Sequence, residues 1–228
     1  MSIKSCMVGL FLLAGPFLNG QTVNKPNYAI KSHETLEILS IEADSKSTVF
    51  HISIENRIPG GTFCADRNIW IVISPEQRSR LVFAEGIPVC PDVHHFTLPG
   101  ESLDFTLVFP PLPPGIKSVD LIEECSENCF SFYGIVIDND LNQAIDKAFE
   151  SAEGGNTEDA LKQFIEIAED PGRSSEATHG LLYINIIRLA AERGYQATAE
   201  RWYKKLKSEG GKEMVRYIDF LNAGGIKY

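Results

Sequence analysis

Five cysteines, five histidines and a knot of acids near residue 125 are the side chains of this 228-residue chain with the most chemistry to offer. Cys125 and Cys129 flank Ser126-Glu127-Asn128, while Cys64, Cys90 and Cys6 stand apart. A zinc site needs further Cys or His at ligand spacing, and no second close pair accompanies the first. A thiol oxidoreductase prefers two intervening residues and a helix amino terminus that depresses the thiol pKa. His94 and His95 are adjacent, so in a strand they point to opposite faces. His51 falls on the polar side of an alternating run, His179 sits between Thr178 and Gly180 near a helix start, and His33 is the fifth. Glu123, Glu124 and Glu127 supply three carboxylates where calcium takes about 6–8 oxygens. There is no Gly-x-Ser-x-Gly elbow, phosphate-cradling glycine loop or helical His-Glu-x-x-His. The pattern assigns no catalytic, cofactor-binding or metal-ligating residue and implies no cofactor.

The compartment decides how the thiols are read. Residues 1–20 have the form of a signal peptide: Lys4 is the only charge, and an apolar stretch runs from Met7 to Leu18, interrupted by Gly15-Pro16, before Asn19-Gly20. Twelve residues from Met7 to Leu18 fall short of the ~20 that span a bilayer. Cys6 precedes the apolar stretch, where a lipidated cysteine follows it. The chain is expected to be exported, to the periplasm or beyond, with no transmembrane segment once the signal is removed. Loss of Cys6 leaves Cys64, Cys90, Cys125 and Cys129, an even set in an oxidising compartment, which reads as disulfides. Four cysteines allow three pairings. The apolar runs Ile69–Ile73 and Leu81–Ala84 surround the turn-rich Ser74–Arg78, and a hairpin pairing Ile71 with Phe83 extends to set Cys64 opposite Cys90. Cys125–Cys129 then clamps the end of a second hairpin, closing a loop so short that geometry matters more than unfolded-state entropy.

Strands must carry these cysteines. From Asn27 to Asp138 the texture is of short runs parted by Pro, Gly, Asp and Asn. Thr48–Glu55 alternates, with Phe50, Ile52 and Ile54 on one face, and Ser102–Phe109 does so with Leu103, Phe105, Leu107 and Phe109. The phase changes at Leu39, as at a bulge. Ile69–Ile73 and Phe132–Ile137 are apolar on both faces, so they belong mid-sheet. With a short strand over Val93–Leu98, about seven or eight strands fit an antiparallel two-sheet sandwich. The prolines of Phe109–Gly115 cannot donate ladder hydrogen bonds and mark a stiff crossover. Phe130, Phe132, Tyr133 and Trp70 read as core, with a sugar-stacking platform as the alternative.

The Thr35-Leu36-Glu37-Ile38 strand, Trp70-Ile71, Glu85-Gly86-Ile87-Pro88, the Phe-Pro-Pro-Leu-Pro stretch at 109–113 and the run from Cys129 to Ile135 together resemble a family of immunoglobulin-like domains. That family occurs near the amino end of exported proteins of Gram-negative bacteria, often ahead of helical-repeat or thioredoxin-like modules. The resemblance covers about residues 27–138. It implies the fold and the export and transfers no catalytic residue.

After Asp138 the period becomes helical. Asp140–Glu153, Thr157–Asp170, Ser174–Arg193 and Tyr195–Ser208 each space apolar residues by three and four, and a last helix covers Lys212–Leu221. Gly155, Ala160 and Phe164 recur as Gly194, Ala199 and Tyr203, 39 residues later. The run from Leu189 to Gly194, continued by Ala199, Trp202 and Tyr203, resembles tetratricopeptide and Sel1-like repeats, although Ala144 and Tyr183 stand where the leading tryptophan is usual. Two hairpins are fewer than the ~3 that stand alone, so docking on the sandwich or a capping last helix is expected.

The expectation is therefore α+β in two domains: signal peptide 1–20, an immunoglobulin-like antiparallel β-sandwich over 21–138, and an α-helical hairpin repeat over 139–228. A net charge of −10 disfavours nucleic acid. Charge is uneven: residues 139–172 carry −7 and residues 173–228 carry +4. Lys204, Lys205 and Lys207 suit a helix carboxyl end or a docking face. The expected role is non-catalytic, an interaction or scaffolding module whose partner is another envelope or secreted protein. Carbohydrate or small-ligand binding through the sandwich, or thiol exchange at Cys125 and Cys129, is the alternative.

Overall fold

The computed structural model describes residues 20–228; the expected signal segment lies outside them except for Gly20. Twelve strands precede the helices: β1 Gln21–Asn24, β2 Ile30–Lys31, β3 Leu36–Ala43, β4 Thr48–Glu55, β5 Thr62–Phe63, β6 Ile69–Ser74, β7 Gln77–Arg80, β8 Phe83–Glu85, β9 His94–His95, β10 Ser102–Phe109, β11 Ser118–Glu123 and β12 Ser131–Val136. One antiparallel sheet runs β1-β3-β4-β10-β8, a second runs β2-β12-β11-β6-β7, and β5 and β9 form a small ladder. Alternation places Phe50 and Ile52 of β4, Phe105 and Leu107 of β10, Ile69 and Ile71 of β6, and Leu121 and Phe132 of β11 and β12 in one shared core. The β3–β4 register slips between Ile38 and Ser40, the bulge anticipated at Leu39. The proline run joins β10 of the first sheet to β11 of the second.

Three expectations need correction. The β6 hairpin pairs Ile71 with Ser79, not Phe83, because the chain reverses over Pro75-Glu76 and its return strand is the polar Gln77–Arg80. Phe83–Glu85 instead joins the other sheet beside β10. Cys64 and Cys90 are nevertheless bonded, held together by Ala65 N–H to Pro88 O (3.0 Å) and Cys90 N–H to Ala65 O (3.1 Å). Only His94–His95 of the expected 93–98 strand is extended, paired with Phe63 and Thr62. Trp70 is half-buried on the outer face of β6, with the Arg78 guanidinium 4.5 Å from its ring centroid, whereas Phe130, Phe132 and Tyr133 are buried.

Five helices follow: α1 Asn139–Glu153, α2 Thr157–Glu169, α3 Glu176–Glu192, α4 Gln196–Glu209 and α5 Met214–Ala223, the last entered through a short 3₁₀ turn at Gly211–Glu213. The Asp138 carboxylate accepts the Leu141 N–H (2.8 Å) and starts α1 directly after β12. Buried Asn142 ties this junction: its Nδ2 donates to Val136 O (2.8 Å), and its Oδ1 accepts the Asn27 N–H (2.9 Å).

The helical core is not made by helices alone. Leu161, Phe164, Leu182, Ile186 and Trp202 share it with Tyr133 and Val136 of β12, and Ala29, Ile30 and Ile122 pack against it. The outer face of the second sheet thus supplies burial that two hairpins lack, and Tyr217 and Leu221 of α5 add more. Among the described residues no helix is long and apolar enough to cross a membrane.

Candidate functional site

The repeat is a backbone device before it is a surface. Where α1 ends, Gly155 (φ +81°) donates its N–H to Ala152 O (3.0 Å) and Asn156 to Ser151 O (2.8 Å). Where α3 ends, Gly194 (φ +73°) donates to Ala191 O (3.0 Å) and Tyr195 to Ala190 O (2.8 Å). Each turn needs a residue at positive φ, which glycine takes without steric cost. Each then aims the next helix so that Ala160 or Ala199 is buried at the contact beside Phe164 or Tyr203. The same turn occurs a third time, as Gly225 (φ +81°) donates to Asn222 O (3.0 Å) and Ile226 to Leu221 O (2.9 Å).

Counting back ten residues from each glycine gives Ile145, Ile184 and Val215. The first two are buried; Val215 is 61% exposed.

Beside the first two turns a groove of about 570 Å³ opens between α1 and α3. Phe149, Phe164, Leu189 and Ile226 make its apolar walls, with Phe149 and Phe164 edge-to-face at 5.2 Å. Asn185 donates Nδ2 to Leu181 O (2.8 Å), and among the described residues its Oδ1 has no partner. Exposed Arg188 has no carboxylate within salt-bridge distance among those residues. Glu153 and Glu192 stand at the rim. The Arg188 guanidinium lies 6.0 Å from the Phe220 ring centroid. The groove thus combines apolar walls with a cation free of carboxylates and an open amide oxygen, a lining that can hold a peptide segment by both packing and polar contacts. Phe164 and Leu189 stood out in sequence through the repeat, whereas Phe149, Asn185, Arg188 and Ile226 did not, because the groove draws on separate elements.

The residues that did stand out are occupied structurally. The bonds are Cys64–Cys90 and Cys125–Cys129, the second on the β11–β12 turn rather than at a helix start. Glu123 turns inward and accepts N–H groups from Asp66 (2.6 Å) and Phe130 (3.0 Å); burial pushes its carboxyl above the ordinary range despite those bonds. Glu124 pairs with Arg78, so the three acids do not converge. His51 lies between Thr106 Oγ1 (3.3 Å) and Glu42 (3.4 Å) on an open sheet face. His179 stacks on Tyr183, with its Nδ1 2.9 Å from Glu209 O. His94 packs edge-on against Phe96, His95 is exposed, and His33 Nδ1 meets Ser32 Oγ. Lys205 and Lys207 lie over the Trp202 and Tyr203 rings, at 4.7 and 4.5 Å, leaving exposed Lys204 as the third member of that run. Among the described residues no three His, Cys, Asp or Glu side chains cluster as metal ligands.

Comparison of the chain with family models, with curated proteins and with solved structures found no match.

Proposed function

We propose that this chain is a non-catalytic exported protein that acts as a protein-interaction module in the cell envelope. In this reading an immunoglobulin-like sandwich is the platform, and tetratricopeptide- or Sel1-like hairpins present the binding surface. The observation that carries it is the α1–α3 groove, whose lining combines apolar Phe149, Phe164 and Leu189 with Arg188, which has no carboxylate partner among the described residues. Two disulfides suit an oxidising compartment and favour export.

The test uses the full chain, expressed in its own envelope with a photo-crosslinking residue at Ala191. A discrete cross-linked protein that disappears in Arg188→Glu and Leu189→Asp supports the groove. Unchanged cross-linking in both variants contradicts it.

A further inference from the structure

A second concavity lies where the two parts of the molecule meet, away from the α1–α3 groove. Its volume is about 320 Å³, at the lower end of the ~300–1,000 Å³ typical of ligand sites. One wall is the second sheet: Val72, Ile73 and Pro75 from the β6 hairpin, with Val119 and Asp120 from β11. The other wall is the start of α3, at Glu176 and Ala177, and the α4–α5 connection from Gly210 to Glu213.

Tyr217 lines this cleft from α5. It is only 4% exposed, and among the described residues its hydroxyl makes no hydrogen bond. The ring fills a slot in which a Cβ on Gly180 would overlap it, and its hydroxyl would lie 3.6 Å from a Cβ on Gly134. Gly134 (φ +65°) sits at an irregularity in the β11–β12 pairing, where its N–H bonds to Asp120 Oδ1 (2.8 Å). Asp120 Oδ2 takes Lys212 Nζ at 2.9 Å. Both Asp120 oxygens are therefore engaged, while the Lys212 ammonium uses one of its three N–H groups. Ser175 caps α3, and its carbonyl takes the Thr178 and His179 N–H groups (2.9 and 3.1 Å), which leaves the N–H groups of Glu176 and Ala177, in the same wall, without an acceptor among the described residues. In that wall exposed Glu176 reaches the Gly211 backbone, its Oε1 3.1 Å from where a Gly211 Cβ would stand. It has no partner among the described residues, whereas Glu213 is held by Arg216 (2.7 Å).

The unspent valences are thus of two kinds. Lys212, the Tyr217 hydroxyl and the first two α3 amides can donate to an anion. Glu176 can accept from a cation. Val72, Ile73, Pro75 and Val119 offer apolar contact between them. A dianion such as phosphate would meet Asp120, Glu176 and Glu213; a monocarboxylate tethered to an ammonium balances the charges. We infer that this cleft binds a small zwitterion, an α-amino acid with an aliphatic side chain, its carboxylate on Lys212 and Tyr217 and its ammonium on Glu176. Because the cleft walls belong to both parts of the molecule, the bound ligand bridges them.

The test is calorimetric titration of the full chain with L-leucine, leucinamide and 4-methylpentanoate. Leucine should give saturable heat, and the two analogues, each lacking one charge, should bind about tenfold more weakly. Tyr217→Phe keeps the ring packing and should weaken leucine about tenfold with an unchanged thermal melt. Glu176→Gln should weaken leucine and leave 4-methylpentanoate unaffected. No saturable heat with leucine at millimolar concentration, or wild-type affinity in both variants, overturns the assignment. Neither result bears on the α1–α3 groove, which shares no residue with the cleft.

Discussion

The two halves of this molecule are built on unequal terms. The core between the two sheets is drawn entirely from strands and their connections. The helical core instead includes Tyr133 and Val136, with Ile30 and Ile122 packed on it, all from the outer face of the second sheet. The first part buries its own apolar surface and is pinned by two disulfides. The second consists of two hairpins and one further helix, which reach a closed core only by adding a sheet as another layer. A repeat too short to stand alone can be made rigid by docking it on a neighbour, and the dependence then runs one way.

The most severe way to break this comparison is to separate the halves. Residues 139–228 expressed alone should lose any cooperative unfolding transition in far-UV circular dichroism. Residues 20–138, with solubilising substitutions at Tyr133 and Val136, should keep one. A cooperative helical fragment would end the claim of one-way dependence.

Next in size is the series along equivalent positions of the three turns. Ile145→Asp and Ile184→Asp each bury an unpaired charge and should cost about 4 kcal/mol or more by urea denaturation. Val215→Asp, at the same distance before its glycine, should change stability by no more than about 0.5 kcal/mol, because that side of α5 is open.

A smaller effect is expected at the joint. Gly180→Ala places a methyl group in the Tyr217 ring and should cost about 2 kcal/mol, read as a lower urea midpoint. The double variant Gly180→Ala with Tyr217→Ala tests the cause. Its cost should fall below the sum of the two single costs, because the overlap is gone.

Much of the framework was legible from residue patterns. Thr48–Glu55 and Ser102–Phe109 declare their buried faces by alternation, and the phase change at Leu39 marks a real slip in register. The helices announce themselves through glycines whose positive φ the turns require. The β6 hairpin register was not legible. Gln77-Arg78-Ser79-Arg80 looks like a polar loop, yet it is a strand whose arginines lie over the Trp70 ring. The mistaken register still brought the correct cysteines together, since Cys64 and Cys90 meet through Ala65 and Pro88 and not through that hairpin. The two cavities were hidden for a different reason. Arg188 and Phe149, or Tyr217, Gly134 and Gly180, become neighbours only when three or more elements pack, and no periodicity within one element records that. Phe164 and Leu189 left a trace, through the repeat.

The finest effect concerns pH. Burial raises the Glu123 carboxyl above its ordinary value of 4.5, so the folded chain holds that proton more tightly than the unfolded chain does. Its contribution to stability is therefore greatest in acid and is lost as pH rises from about 4.5 through the folded value. The stability of the wild type relative to Glu123→Gln should decline across that window. A relative stability that rises with pH would show that the backbone bonds from Asp66 and Phe130 outweigh burial.

The two tryptophans offer the most direct test of the central claim, since Trp70 reports on the sheets and Trp202 on the helices. Equilibrium urea unfolding of Trp70→Phe and Trp202→Phe isolates each fluorescence signal in turn. The Trp202 transition should fall at, or below, the urea concentration of the Trp70 transition, because helices that borrow a sheet cannot outlast it. Helices still folded by Trp202 emission after the Trp70 signal has collapsed would contradict the shared core as the source of their stability.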